Sequence, residues 1–214
     1  MEAAAGSEPV RARRTRFKIF FGFAPGVGKT YRMLQVARDL AAEGVDVAVG
    51  TVYTHGRYDI AGLSLGLDVL PRRALPYRGT VLEEFDLDAA LARRPRILLL
   101  DELAHTNAPG ARHPKRWQDA VELLDAGVEV YTTLNVQNVE SLNDVVAQIT
   151  GVRVREVVPD AILERADEVE IVDVAPEELL HRLSEGKIYL PEQAEAARER
   201  FFTRGNLLAL RISQ

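Results

Sequence analysis

The chain has 214 residues, 47% of them hydrophobic, which suffices for one α/β domain with its own core and is too apolar for a wholly disordered chain. A formal net charge of -5 argues against a general binder of nucleic-acid backbones, and the absence of cysteine excludes disulfides and thiolate metal sites. No apolar run is long enough to cross a bilayer or to form a signal core, so the chain is expected to be soluble, with no membrane insertion of its own.

Residues 1–15 lead into a locally basic run, Arg11, Arg13, Arg14, Arg16 and Lys18, with no aromatic side chain before Phe17. They read as a solvated, disordered tail rather than a nucleic-acid or lipid-binding arm, and residues 16–214 as a single domain. The apolar stretch Phe17 to Phe21 predicts a buried strand. It is followed by Gly22-Phe23-Ala24-Pro25-Gly26-Val27-Gly28-Lys29-Thr30, and then by a run, Tyr31 to Glu43, with Met33, Leu34, Ala37, Leu40 and Ala41 on one helical face. Strand, glycine turn and helix are what a phosphate cradle needs, because a phosphate chain must be wrapped by backbone N–H groups at a helix N-terminus. Pro25, Gly26, Val27, Gly28, Lys29 and Thr30 are therefore the candidate nucleotide-binding residues, with Lys29 reaching the β- and γ-phosphates and Thr30 holding Mg²⁺. The G-x-x-x-x-G-K-[ST] pattern counts back to Phe23, whereas the nearest glycine is Gly22, so Phe23 is expected to crowd the start of the loop.

Val45 to Val52 predicts a second strand, ending in Tyr53-Thr54-His55-Gly56-Arg57. Asp59 to Leu67 reads as a short helix, Val69 to Leu75 as an irregular or extended piece between Pro71 and Pro76, and Asp86 as the cap of a helix running to Arg93. The strand Arg96 to Leu100 runs straight into Asp101-Glu102. In P-loop proteins an acid at the end of the strand beside the P-loop strand binds the hydration shell of Mg²⁺, and a following glutamate can activate water, so Asp101 is the candidate metal residue and Glu102 the candidate base. The polar, basic loop 103–116 places His105, Asn107, Arg112 and Lys115 beyond a strand's carboxyl end, where they either touch nucleotide or merely shape a solvated connection.

A helix is expected from Arg116 to Ala126, then a strand from Val128 to Leu134. Asn135 and Gln137 are candidates for sensing a γ-phosphate, while Asn138 or Ser141 could equally cap a helix from Leu142 to Thr150. Val152 to Val158 and Val169 to Val174 read as further strands joined by a short helix begun by Pro159, and Pro176 opens a helix to Leu183. After Lys187-Ile188-Tyr189-Leu190, helices follow from Pro191 to Phe202 and from Asn206 to Ile212; Phe201, Phe202, Leu207 and Leu210 form either core or a docking stripe. The chain ends inside this helical pattern, as expected for a piece of something larger. Alternating strands and helices predict a P-loop NTPase-like three-layer α/β sandwich, its mainly parallel sheet covered on both faces and the C-terminal helices packed on it.

Together these stretches resemble the N-terminal cytoplasmic domain of the Kdp potassium-responsive sensor histidine kinases. The similarity runs from about Phe17 to Leu210, through the Pro25 to Thr30 loop, Thr54 to Arg57, Glu84 to Leu91, Asp101 to Gly110, Arg112 to Asp119, Glu140 to Val146 and Gly205 to Leu207. The resemblance implies a domain that binds ATP or ADP with Mg²⁺ and regulates a kinase rather than transferring phosphate itself. It also implies downstream partners: a universal-stress-type domain, transmembrane helices of the plasma membrane, and a histidine kinase core acting on a response regulator. Three positions depart from the family's usual residues, which are Ala at Phe23, Glu at Tyr53 and His at Asn138; losing an acid at Tyr53 is expected to remove a base or magnesium partner. His55 and Arg57 enter the candidate site in this way. The competing reading is an enzyme, either an ATPase using Glu102 or a small-molecule kinase with residues 53–80 forming an acceptor pocket.

Overall fold

The computed structural model describes residues 15–53, 62–188 and 201–212. The chain alternates strand and helix as its hydrophobic pattern requires: β1 (Phe17–Gly22), α1 (Lys29–Ala42), β2 (Val47–Thr51), β3 (Asp68–Val69), β4 (Arg72–Tyr77), β5 (Thr80–Phe85), α2 (Leu87–Arg93), β6 (Ile97–Leu100), α3 (Arg116–Asp125) and β7 (Glu129–Asn135). A 3₁₀ turn at Val136–Asn138 leads to α4 (Asn143–Thr150), α5 (Asp160–Leu163), β8 (Glu168–Ile171), α6 (Pro176–Ser184) and α7 (Arg204–Ile212). No helix among the described residues is long and apolar enough to cross a membrane.

The strands are ordered β3-β2-β6-β7-β1-β8 in one sheet of six, and every adjacent pair is parallel. Strands buried on both sides must be apolar on both sides, and β1, β2 and β6 are buried at every position. Alternate residues of each strand feed two separate cores. Phe20, Val49, Ile97 and Leu99 pack with Met33, Leu34 and Ala37 of α1 on one face. Ile19, Phe21, Leu98 and Leu100 belong to the larger core on the other, with Leu123 of α3, Leu179 of α6 and Leu207 of α7. Sheet and helices thus form three layers, and Phe201, Phe202, Leu207 and Leu210 are core, each 8% exposed or less.

Several elements differ from the sequence reading. The acid-bearing strand is not beside β1: β7 lies between β6 and β1. Residues 72–85 form an antiparallel hairpin outside the main sheet, turning at Arg78 and Gly79, both with positive φ (47° and 81°). Paired positive φ is the turn geometry that suits the twist of a two-residue hairpin, but Arg-Gly signals it weakly and Pro76 argues against a strand. Val152 to Val158 is not a strand either, apart from a single bridge between Val139 and Val158. Its carbonyls go to side chains instead: Thr150 donates to Val152 O (3.3 Å), Asn143 to Val154 O (2.8 Å) and Asn138 to Glu156 O (2.7 Å). Asn138 and Ser141 are consequently not caps of α4; the residue before that helix is Leu142, and Ser141 bonds Asp160. Asp86 does cap α2, accepting from Ala89 N at 3.0 Å.

Loop 103–116 is anchored rather than solvated. Asn107 donates from Nδ2 to His113 O (3.0 Å) and to Asp119 Oδ2 (2.7 Å), and its backbone N–H reaches Pro114 O (3.0 Å). Glu84 of the hairpin accepts from Ala108 N (2.8 Å) and sits 3.0 Å from His105 Nε2. Burial tends to raise the Glu84 carboxyl, but His105, Ala108 N–H and Arg116 outweigh it and hold the group below the ordinary range.

Asp119 behaves oppositely. Burial pushes its carboxyl up to about 6, against the opposing pull of Asn107, His113 and Arg116. Between the ordinary value of 3.8 and about 6 the folded chain binds more protons than the unfolded one, so this group lowers stability as pH rises through that window. Asp119→Asn, which keeps an acceptor for Asn107, should gain in melting temperature relative to the parent as pH rises from about 4 to above 6, with no further gain beyond; a difference flat across this window would refute the assignment. Phe23, fully buried in the larger core, should lose about 3–5 kcal/mol on replacement by alanine in urea unfolding, as a core aromatic does.

Candidate functional site

The loop between β1 and α1 is shaped by close approach. Gly22 has no room for a side chain: a Cβ there would lie 2.6 Å from Val27 Cγ2 and 3.1 Å from Val172 O. That is the physical reason the glycine stands at 22, one place before the pattern, while the Phe23 side chain turns into the core instead of crowding the loop. Gly26 (φ 86°) and Gly28 (φ 110°) take left-handed backbone conformations, and Gly28 begins α1 without any side-chain cap or acidic residue in the first turn. An uncapped helix start offers its N–H groups and the positive end of its dipole to an anion.

Lys29 is buried, and its ammonium donates to Ala24 O (3.0 Å) and to Asn135 Oδ1 at the end of β7. Asn135 in turn donates to Asn138 Oδ1 (3.3 Å). The Thr30 hydroxyl lies 3.2 Å from both carboxylate oxygens of Asp101, although a whole strand separates their parent elements. Asp101 is 1% exposed and also accepts from Thr133 Oγ1 (2.6 Å), Tyr53 N (3.2 Å) and Glu102 N (3.2 Å). Burial, with the charge of Glu102 added, pushes its carboxyl upward, while Thr133, the Tyr53 N–H and Thr30 oppose the shift. A buried carboxylate in this position is stabilised in its charged form by a cation. Among the described residues no cluster of three or more acids or histidines could hold a metal alone. A hard cation here would rest on the Thr30 and Asp101 oxygens, with water and phosphate oxygens completing its shell, which suits Mg²⁺.

A cavity of about 390 Å³ opens over this arrangement, beyond the carboxyl ends of β1, β6 and β7. Pro25, Gly26, Lys29, Thr30, Glu102, His105 and Asn135 all line it, so the fold gathers these candidates around one cavity. Gln137 lines it as well, with a buried Oε1 that has no hydrogen-bond partner among the described residues. Glu102 stands at the strand end with φ 58°, its N–H directed to Thr133 Oγ1 (3.0 Å). Val27 and Gly28 instead line a second hollow of about 540 Å³ across the loop, with Tyr31 and Arg32. Asn107 lines neither and is occupied within loop 103–116. His55 and Arg57 lie outside the described residues. No residue from 62–80 lines the first cavity, so the described part of that stretch does not shape an acceptor pocket there.

Thr133 and Arg116 support the site without a readable signal, and Tyr53 does so in a way its departure from the family's glutamate did not suggest. Thr133 is an ordinary strand residue by pattern, yet it bonds both Asp101 and Glu102. Arg116, fully buried at the start of α3, donates to Asp101 O (2.9 Å) and to Tyr53 OH (3.1 Å) and pairs with Glu84 (3.4 Å). Tyr53 therefore braces the magnesium-acid candidate through its backbone N–H and holds Arg116 through its hydroxyl.

A family model described as the osmosensitive K+ channel His kinase sensor domain matches residues 13–213. The chain is 59% identical over 198 residues to the sensor protein KdpD of Escherichia coli, covering 92% of this chain and 22% of that protein. It is 52% identical to the sensor protein KdpD of Clostridium acetobutylicum, over 95% of this chain and 23% of that one. With a putative sensor protein KdpD of Synechocystis it shares 53% identity, over 93% of this chain and 54% of the relative. The chain thus spans from under a quarter to about half the length of these relatives. It belongs to the KdpD family of osmosensitive K+ channel His kinase sensor domains.

Proposed function

We propose that this chain is the nucleotide-responsive regulatory domain of a two-component potassium sensor histidine kinase. It binds ATP or ADP with Mg²⁺ on the cytoplasmic side of a membrane protein, and its occupancy sets the kinase and phosphatase output of downstream domains toward a response regulator. The observation that carries this reading is the Thr30–Asp101 contact beneath the glycine loop, because it joins a phosphate cradle, through a residue of the cavity wall, to a buried carboxylate.

The residues divide the work by their chemistry. Backbone N–H groups of residues 26–30 wrap the phosphates, favoured by the helix dipole. Lys29, which donates to Ala24 O and Asn135 Oδ1, turns to the phosphate oxygens, whose negative charge attracts an ammonium more strongly than a neutral oxygen does. Thr30 and Asp101 would hold a magnesium ion, which would neutralise phosphate charge. His105 and Asn135 close the cavity from loop 103–116 and β7. The downstream partners suggested by the relatives are a stress-type domain and a histidine kinase core.

A second reading, slow ATP hydrolysis with Glu102 as base, is favoured by one observation: Glu102 lines the same cavity next to Asp101. Thermal melting in the presence of Mg-ATP tests the main reading. Nucleotide at about 100 times its dissociation constant should stabilise the fold by about 2.7 kcal/mol, and Lys29→Ala should abolish the shift; no shift at millimolar ATP would reject it. Phosphate release separates the second reading. If Glu102 acts as base, Glu102→Gln drops the rate by about 10²–10⁴-fold, whereas equal background rates would leave binding as the whole function.

A further inference from the structure

The helix α6 and the residues after it lie against the outside of the glycine loop. Arg182 donates from Nη1 to Gly26 O (3.2 Å) and to Val27 O (3.4 Å), while its Nε is held by Glu178 at 2.8 Å. In a trans peptide the carbonyl and the following N–H point in opposite directions. A guanidinium that holds the Gly26 and Val27 carbonyls outward therefore turns the N–H groups of Val27 and Gly28 the other way, toward the side on which phosphate would be wrapped. Its charge also favours an anion nearby.

The second contact is steric. A Cβ on Gly26 would lie 2.4 Å from Ile188 Cδ1, so the Ile188 side chain is seated in the space that only glycine leaves. Ile188 lines the first cavity and Lys187 the second, and Gly26 borders both, so this segment crosses the loop between the two hollows. At its other end α6 is fixed to the larger core by Leu179 and Leu183, beside Leu207 and Leu210 of α7. Loop 103–116, by contrast, is anchored to the hairpin and to Asp119.

We infer that Arg182 is a positioning residue of the phosphate cradle, and that the segment Pro176–Ile188 is the element through which the state of the loop reaches the C-terminal helices. This rests on the nucleotide-binding reading above and adds to it the route of regulation. Coupling is reciprocal: whatever Arg182 contributes to nucleotide affinity, nucleotide returns as tighter seating of α6.

The test combines calorimetric titration of the 214-residue chain with Mg-ATP and hydrogen exchange resolved over residues 176–188. Mg-ATP should slow exchange across that segment, Arg182→Gln should weaken binding by about tenfold, and Arg182→Lys should recover part of the loss. In saturated Arg182→Gln the protection of 176–188 should be reduced. Ile188→Ala, which leaves the guanidinium in place, should lower that protection without removing binding. Unchanged affinity in Arg182→Gln, even with a lowered melting temperature, would mark Arg182 as merely structural and overturn the proposal. So would binding by the parent chain with no change in exchange at 176–188. Absence of any Mg-ATP binding to the parent chain would instead reject the nucleotide reading, and this inference with it.

Discussion

The buried carboxylate of Asp101 is the contact on which the rest of this site depends. Taking it out of water is costly unless hydrogen bonds replace those lost, and the chain supplies them from four directions: the hydroxyls of Thr30 and Thr133 and the N–H groups of Tyr53 and Glu102. These donors come from α1, from β7, from the end of β2 and from the residue after Asp101 itself. One side chain thereby ties together the carboxyl ends of two neighbouring strands and the first turn of the helix that follows β1. The parallel register makes this possible, since pairing Leu100 with Thr132 brings Asp101 and Thr133 level on adjacent strands.

Behind it stands a second buried charge. Arg116 has no exposed surface, and it holds the Asp101 carbonyl, the Tyr53 hydroxyl and the Glu84 carboxylate, although its Nε finds no partner among the described residues. A buried ion pair of this kind adds little net stability, but breaking it leaves a charge stranded, so it specifies one arrangement of the elements it joins. Those elements are the β4–β5 hairpin, the strand end carrying the candidate magnesium acid, and the start of α3. The hairpin, outside the main sheet, is thus connected to the cavity both through Arg116 and through the Glu84–His105 contact.

The sequence made the sheet legible because its strands are apolar on both faces, and it made the loop legible because glycine and lysine spacing reflects backbone geometry directly. It identified Asp101 and Thr30 as partners but misjudged how they meet, since strand order is set by long-range pairing that no local pattern encodes. The hairpin was missed because an Arg-Gly turn and Pro76 both argue locally against it, and the contacts that tie it to the rest of the fold, Glu84 with Ala108 and His105, span more than twenty residues of sequence. Asn107 looked like a ligand because it sits in a polar loop beyond a strand; only the fold shows that its Nδ2 donates to Asp119 and His113 and that it lines neither cavity. Phe23 looked obstructive because a pattern counts residues and not directions.

The state of Lys29 gives the arrangement its direction. Its ammonium is buried and donates to a backbone carbonyl and a side-chain amide, both neutral acceptors. An ammonium is attracted more strongly to an anionic oxygen than to a neutral one, so phosphate oxygens would compete for this donor. Any such exchange releases Asn135, whose amide is linked to Asn138 and through it to the Glu156 carbonyl. On the other side of the loop the Arg182 contacts would strengthen rather than break, because they orient the N–H groups an anion engages. An anion in the cradle would therefore act on the two sides unequally, disturbing the Asn135 contacts on the β7 side and favouring the Arg182 contacts on the α6 side, which is the asymmetry the proposed regulatory role requires.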